Sequence, residues 1–198
     1  MNAKFQFGLL GLSLGLVMQG CNLKPESIRF APQLEVRQND IGQGKVVGLE
    51  VADIRPDKQV GIIGDPKIKS INVMAEDASP SAIYKEAADA LTKMGFKVEP
   101  ATDTSERVLR LEVRELQYES LKRPFTFDNK SKVLVGAIVK NGGNRYERTY
   151  ETEETSTTGG PPSQSEISKT VNRLLSASLN DVLADKQLMA ILSKEQSG

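Results

Sequence analysis

Histidine is absent from this 198-residue chain, and cysteine occurs only once. The lack of histidine removes the commonest general base near neutral pH and the commonest transition-metal ligand, and with them Ser-His-Asp, Cys-His and histidine-zinc sites. A single cysteine excludes an intramolecular disulfide, so stability has to come from packing. The formal net charge is zero, which provides no overall field that would attract nucleic acid. The composition therefore favours neither a histidine-based enzyme nor a nucleic-acid-binding protein, and no metal site or cofactor is expected.

The sequence also lacks a hydrophobic run of membrane-spanning length. The apolar stretch from Phe5 to Met18 is shorter than the roughly 20 residues that a transmembrane helix needs, but it suits a secretory signal. Lys4 precedes it and supplies the positive charge that export requires. The stretch continues through Gln19 and Gly20 into Cys21, which is the pattern of a bacterial lipoprotein signal.

Cys21 is the predicted lipidation site, since its thiolate can accept a thioether-linked diacylglycerol. Cleavage before Cys21 would free its amine for a third acyl chain, and two or three chains make a stable membrane anchor. An ordinary secreted protein with a lone cysteine is the alternative, although a free thiol is unusual in an oxidising compartment. Asn22 is not the aspartate that commonly retains lipoproteins in the inner membrane of enteric bacteria. We therefore expect a lipid anchor in the outer membrane, with the domain facing the periplasm.

The chain is expected to have three parts: a signal peptide at 1–20, a lipidated N-terminus and tether at 21–44, and a single periplasmic α+β domain at 45–198. Prolines and glycines among polar residues mark the tether. Within it, Ile28, Phe30 and Leu34 occupy even positions and predict a short edge strand.

Alternating apolar residues predict a strand over 46–54, followed by a glycine-containing loop at 60–65 and a strand at 68–74. Ser79-Pro80 and Gly95 bracket a predicted helix over 80–94. In the strand predicted over 107–118, the apolar phase slips near Arg114-Glu115, which indicates a β-bulge or a change of face.

Residues 122–132 are predicted to form an exposed loop. Both faces of 132–140 are apolar, which predicts a central strand covered on both sides or buried in an oligomer. The turn at 141–144 predicts a hairpin that leads into an acidic strand at 145–155. Ser163 and Glu166 form the capping box of a second amphipathic helix, and Asp185 caps a short third one. The predicted fold is α+β, a two-layer sandwich in which amphipathic helices cover one face of a mainly antiparallel or mixed sheet.

Two clusters of side chains are candidate binding surfaces. Asp53, Arg55 and Asp57 stand at the end of the first strand, where the simpler interpretation is a turn with an ion pair. Arg123, Phe125 and Phe127 interleave charge with aromatic rings. There the simpler interpretation is a loop whose aromatic residues anchor it in the core, and the alternative is contact with anionic glycan or lipid headgroups.

Four features together resemble the YajG-type bacterial lipoproteins: the cysteine motif at 18–21, the strand and turn at 47–57, the helix end Lys93-Met94-Gly95-Phe96, and the closing hairpin and helix. The resemblance spans most of the chain. It implies a lipid-anchored envelope protein and brings no catalytic residues with it.

Two functional hypotheses follow. The first is a non-enzymatic binding or scaffold module, anchored to the membrane by lipid and contacting an envelope protein or a cell-wall component. The second is an envelope hydrolase, for which Asp53, Asp57, Glu112 and Glu115 are the candidate acid-base carboxylates.

Overall fold

The structure is a computed structural model that describes residues 26–65, 67, 69–76 and 79–195. Cys21 and the rest of the signal motif lie outside the described residues. Within them, the chain forms β1 (Glu26–Ile28), β2 (Val46–Asp53), β3 (Gln59–Asp65), β4 (Lys69–Ala75), α1 (Ser79–Lys93), β5 (Lys97–Pro100), β6 (Arg107–Lys122), β7 (Phe127–Asn141), β8 (Asn144–Thr158), α2 (Gln164–Ala184) and α3 (Lys186–Ser193). The predicted fold class is confirmed, because a curled mixed sheet packs against three helices.

The long strand β6 organises the sheet. Along one side it pairs antiparallel with β7, which in turn pairs antiparallel with β8. Along the other side it pairs in parallel first with β2 and then with β3, so these two strands lie end to end beside it. The sheet continues from β3 through β4 to β1, and from β2 to β5. β7 thus has a paired strand on each side, as a central strand does.

The predicted irregularity in β6 is confirmed. The register between β6 and β7 shifts between Val113 and Glu115, so the side chain that faces the helices changes phase. Before the shift Leu111 and Val113 are buried, and after it Leu116 and Tyr118 are buried. A β-bulge allows one extra residue to be accommodated in this way while the strand continues.

The helices pack through the apolar positions that their periodicity predicts. In α2 the buried side chains are those at the predicted spacing, with Leu179 and Leu183 in addition: Ile167, Val171, Leu174, Leu175, Ser178, Leu179, Val182 and Leu183. Both halves of the Ser163–Glu166 capping box are present. Asp185 caps α3 by accepting hydrogen bonds from the backbone N–H groups of Gln187 and Leu188. Gly95 follows α1 with φ of 88°, a left-handed conformation that glycine adopts without strain.

The segment from Arg29 to Val36 runs in extended form along α2. Its side chains at even positions face the domain, and Phe30 is only 1% exposed. Its exposed odd positions donate backbone N–H groups to side chains of α2: Ala31 to Asn172, Gln33 to Ser176, and Glu35 to Asn180, at 2.7, 2.9 and 3.1 Å. The spacings match because two extended residues rise about 6.6 Å and four helical residues about 6 Å.

The described part of the expected tether at 21–44 is packed against the domain. The part of it that forms a strand is confined to β1, and the residues after it lie on the domain. Backbone N–H groups of Asn39, Gly42 and Gly44 also donate to carbonyls of Lys93, Met94 and Gly95. Within the described residues the segment therefore belongs to the folded unit. The sequence alone does not predict the full extent of this packing, because the apolar residues of the segment alternate with polar and charged ones.

Two predicted loops are wrong. Residues 60–65 belong to β3, because Gly61 lets β3 approach the backbone of Tyr118 where a Cβ atom would collide with it. Residues 127–132 belong to β7, which leaves only Arg123–Thr126 as the turn. No helix in the described part of the chain is both long and apolar enough to span a membrane.

Candidate binding surfaces

A cleft of about 420 Å³ opens beside the β-bulge of β6. The parallel pairing of β6 with β2 ends at Val113, and its pairing with β3 begins at Tyr118. Between these points the chain connecting β2 to β3 turns away from β6. The cleft is lined by side chains from the 55–62 and 114–119 segments, and we call it the β6 cleft.

The rim of the β6 cleft is polar and charged. Asp57 is exposed, and its Oδ1 accepts the backbone N–H of Gln59 at 2.7 Å. Across the cleft, Gln117 donates to Glu119 at 2.7 Å, while Glu115 lies 3.7 Å from the ammonium group of Lys132. Such a rim suits a partner that offers its own hydrogen-bonding groups, because a purely apolar ligand would leave these groups unpaired.

Asp53 and Arg55 form the ion pair that the simpler interpretation predicts. The Arg55 guanidinium donates to both carboxylate oxygens of Asp53, at 2.8 and 2.7 Å. The Arg55 side chain is only 3% exposed and stacks 5.8 Å from the centre of the Phe30 ring. Its Nη1 is buried without a hydrogen-bond partner among the described residues. The pair therefore fixes the chain that leaves β2 and supports the wall of the β6 cleft, while Asp57 alone of the three is exposed.

The four candidate catalytic carboxylates do not share one environment. Asp53 is bound to Arg55, Asp57 caps its own turn, and Glu115 faces Lys132. Glu112 is clamped between Arg110 and Arg114, whose guanidinium groups donate at 2.8 to 3.0 Å.

The environment of Glu112 favours its ionised form. Burial alone would raise the pKa of Glu112, but hydrogen bonds and charge from Arg114 and Arg110 outweigh burial and hold that pKa below its ordinary value. A carboxyl group with a lowered pKa is a poor proton donor near neutral pH. Glu112 is therefore suited to an ion-pair role rather than to general acid catalysis.

The second predicted cluster lies at the turn between β6 and β7. Arg123 donates its backbone N–H to the carbonyl of Thr126 at 2.8 Å and its Nε to Asp128 at 2.7 Å. The interpretation that both phenylalanines anchor this turn in the core is wrong, because Phe125 is 91% exposed and Phe127 is half-buried. We call residues 122–126 the hairpin tip; it lies beyond the end of the β6 cleft.

Sequence reasoning missed two polar clusters that tie the elements together. On the sheet face opposite the helices, Glu50, Arg110, Glu112, Arg114 and Glu147 form a row of ion pairs across β2, β6 and β8. Gly136 leaves the space that the Arg114 guanidinium occupies, since a Cβ atom there would overlap the guanidinium and Arg114 would have to move. The signal was present as charged residues at alternating positions, but sequence alone does not give the register between strands.

The other missed cluster surrounds Asp185, whose side chain is 4% exposed. Its Oδ2 accepts hydrogen bonds from Tyr150, Arg148 and Tyr146 at 2.7, 3.1 and 3.3 Å, besides the two N–H groups that it caps. Burial alone would raise the pKa of Asp185, but these hydrogen bonds, led by that of Tyr150, hold the pKa below its ordinary value. Burial and the same contact raise the pKa of Tyr150. The cluster locks α3 onto β8.

Acidic side chains do not gather into a metal-binding group anywhere in the part of the chain that the structure describes. The charged clusters above are ion pairs between side chains of opposite sign.

Several solved structures are similar at low sequence identity. A structure described as a neuraminyllactose-binding hemagglutinin homolog from Helicobacter pylori has 9% identity and a TM-score of 0.49, covering 84% of this chain and 96% of that one. A Xanthomonas campestris protein has 11% identity and a TM-score of 0.45, covering 86% and 95%. A minor lipoprotein from Acinetobacter baumannii has 16% identity and a TM-score of 0.38, covering 77% and 97%.

The sequence itself places the chain in a family. No curated protein matches it. A family model described as "Uncharacterized lipoprotein" matches residues 32–193, which is most of the folded unit, and the resemblance to the YajG type is confirmed. The chain belongs to this family of uncharacterized bacterial lipoproteins, for which no catalytic activity is known.

Proposed function

We propose that this protein is a non-enzymatic binding module of the bacterial envelope, held by lipid on Cys21 in the outer membrane and facing the periplasm. Its partner is an envelope protein or a cell-wall component, which it contacts through the β6 cleft. Membership of the lipoprotein family supports an anchor. The anchor confines the domain to a shell beside the membrane and so raises its effective concentration for partners there.

The observation that carries this proposal is the β6 cleft itself. On the side of β6 that pairs with β2 and β3, a stretch between these two strands has no paired strand, although β6 stays paired with β7 on its other side. β-Bulges commonly occur where a strand redirects side chains at a functional site. The polar lining, with Asp57 exposed on one wall and Gln117 and Glu119 on the other, fits a partner that pairs with these groups.

The hydrolase alternative has less support. An acid-base pair of carboxylates needs one member that holds a proton near neutral pH. Glu112 has a lowered pKa between two arginines, and Asp53 is bound to Arg55 through both oxygens. Turnover of a cell-wall or lipid substrate by the purified domain, lost on replacing Asp53 or Glu115, would favour the hydrolase.

Photo-crosslinking in intact cells tests the binding proposal. A photoreactive residue at Gln117, inside the β6 cleft, is expected to yield a discrete adduct, whereas the same residue at Lys169 on the exposed face of α2 is not. Asp57→Arg should abolish the Gln117 adduct, and Asp181→Arg, which makes the same charge change at an exposed position of α2, should leave it unchanged. Equal adducts from Gln117 and Lys169, or a Gln117 adduct that survives Asp57→Arg in a folded protein, would contradict the cleft as the binding surface.

A further inference from the structure

Phe125 is the most exposed of the large apolar side chains in the described part of the chain. It stands at the apex of the hairpin tip, between β6 and β7, which pair along their whole length up to Lys122 and Phe127. Lys122 and Arg123 precede it and are also exposed. Monomeric proteins can expose single apolar residues, so exposure alone does not make Phe125 part of a contact surface. Its position relative to the rest of the molecule is the further evidence.

Strand register places the start of the described chain near the end of the molecule that carries the hairpin tip. Glu26 pairs with Val73 of β4, Val73 pairs with Gly61 of β3, and Gly61 pairs with Tyr118 of β6. Glu26 is therefore level with Tyr118. The pairing directions make β1 antiparallel in direction to β6, so β1 begins on the side of the hairpin tip and runs away from it.

A second contact supports this placement. β8 ends at Thr158, which pairs with Phe127 beside the hairpin tip. The chain then enters α2, and the Gln164 side chain at the start of α2 donates to the carbonyl of Ser27 in β1. The start of β1, the start of α2 and the hairpin tip thus share one end of the domain.

The length of chain before Glu26 limits how far this end can lie from a lipid on Cys21. Five residue steps separate Cys21 from Glu26 and span at most about 17 Å when fully extended. Along β6, the four residue steps from Tyr118 to Lys122 cover about 13 Å in the direction of the tip. An anchor on Cys21 therefore holds this end of the domain close to the membrane, and the hairpin tip projects far enough beyond Glu26 to reach the surface.

The chemistry of the hairpin tip matches that surface. Aromatic rings favour the interface between lipid headgroups and acyl chains, and basic side chains beside them favour anionic headgroups. Lys67 lies in the neighbouring turn between β3 and β4 and is exposed as well. β3 ends level with Lys122, because Ile63 pairs with Ser120.

We propose that the hairpin tip is a membrane-contact element: Phe125 inserts into the interfacial region of the bilayer that holds the lipid anchor, and Lys122 contacts anionic headgroups, together with the part of the Arg123 guanidinium that is not bound to Asp128. This inference rests on the anchoring at Cys21 proposed above. It gives the anchored domain a fixed orientation, in which β8, α2 and the β6 cleft are oriented relative to the membrane rather than free to tumble on a flexible link.

The chain contains no tryptophan, so Phe125→Trp introduces a unique fluorescent probe. The full-length lipidated variant is reconstituted into vesicles of phosphatidylethanolamine and phosphatidylglycerol, and quenching by lipids brominated along the acyl chain is measured. Val46→Trp is the matched control, because Val46 is 46% exposed and opens β2 at the opposite end of the sheet. Lys122→Glu in the Phe125→Trp background tests the basic contact.

The proposal predicts that the indole emission of the Phe125→Trp variant shifts to shorter wavelength in vesicles and is quenched by brominated lipid, whereas the emission of the Val46→Trp variant is unchanged. Lys122→Glu should reduce the quenching. If vesicle-bound, lipidated Phe125→Trp protein shows neither shift nor quenching, the hairpin tip faces solvent or a protein partner; the membrane contact is overturned and the anchor stands. If intact-mass measurement finds no lipid on Cys21, the anchor and the membrane contact both fail.

Discussion

Asp185 joins α3 to β8, since its carboxylate caps α3 and accepts hydrogen bonds from three side chains of β8. Its pKa lies below the ordinary value of 3.8, so the folded state favours the ionised form. The stability that this group contributes is fully present above the pKa of the unfolded chain and is lost as the pH falls through the lower folded pKa.

Asp185→Asn is therefore expected to lower the free energy of unfolding by about 1–3 kcal/mol at neutral pH. The difference from wild type should shrink as the pH falls below about 4, where the wild-type carboxylate becomes protonated. Urea unfolding at a series of pH values measures both effects, with Asp181→Asn at an exposed position as the control. A difference that stays constant down to about pH 2 would show that the ionised carboxylate is not what stabilises this cluster.

For single residues, the sequence predicts contacts between residues that are close along the chain but not contacts between distant ones. It predicts Asp185 as a helix cap, and Asp53 with Arg55 as an ion pair, because both depend on residues close in sequence. The contacts of Asp185 with Tyr146, Arg148 and Tyr150 depend on how α3 meets β8, which no local pattern encodes. The average behaviour of phenylalanine predicts a buried Phe125, and the short turn of the structure exposes it instead.

Among the elements, α2 carries the largest share of the core opposite the sheet. Leu175 is fully buried on its inner face. Leu175→Asp is expected to cost about 3–5 kcal/mol, because it leaves a buried charge without a partner, against a typical total of about 5–15 kcal/mol. Thermal unfolding measures the loss. Lys169→Asp places the same residue on the exposed face of α2 and should change the melting temperature little. A Leu175→Asp variant that melts like wild type would show that this face of α2 is misassigned.

The extended segment beside α2 gives a second prediction for an element. Replacing Asn172, Ser176 and Asn180 with alanine removes the acceptors for the backbone N–H groups of Ala31, Gln33 and Glu35. Each lost hydrogen bond is expected to cost about 1 kcal/mol, and the three amides should exchange with solvent faster. Hydrogen exchange followed by mass spectrometry detects this, with Ser165→Ala on α2 as the control. Unchanged exchange at 29–36 would mean that apolar packing alone holds the segment.

Local periodicity explains why the elements are predicted better than their pairing. The apolar spacing in α2 and the phase slip in β6 are written in consecutive residues, and both are confirmed. The sequence predicts a loop in place of β3 because the glycines of β3 resemble turn residues. Gly61 is there for close approach to Tyr118 of β6, a requirement set by a strand that is distant along the chain.

For the whole molecule, the order of strands produces two arrangements. One is the β6 cleft, and the other is the position of the start of β1 at the same end as the hairpin tip. That order places β2 and β3 on the same side of β6 and brings the start of the described chain to the tip. Neither arrangement could be predicted from the sequence, because both need long-range register. The lipid anchor at Cys21 is predicted from a short run of consecutive residues, so its prediction does not depend on the fold.

We propose that lipid on Cys21 holds this envelope module at the membrane while it binds its partner, and metabolic labelling detects that lipid. Cells expressing the full chain are grown with a fatty-acid analogue, and label on the protein is measured together with its distribution between the membrane fractions. The wild-type protein is expected to carry label and to fractionate with the outer membrane. Cys21→Ser should lose the label and leave the membrane fraction. A Cys21→Ser protein that still carries label would contradict the claim.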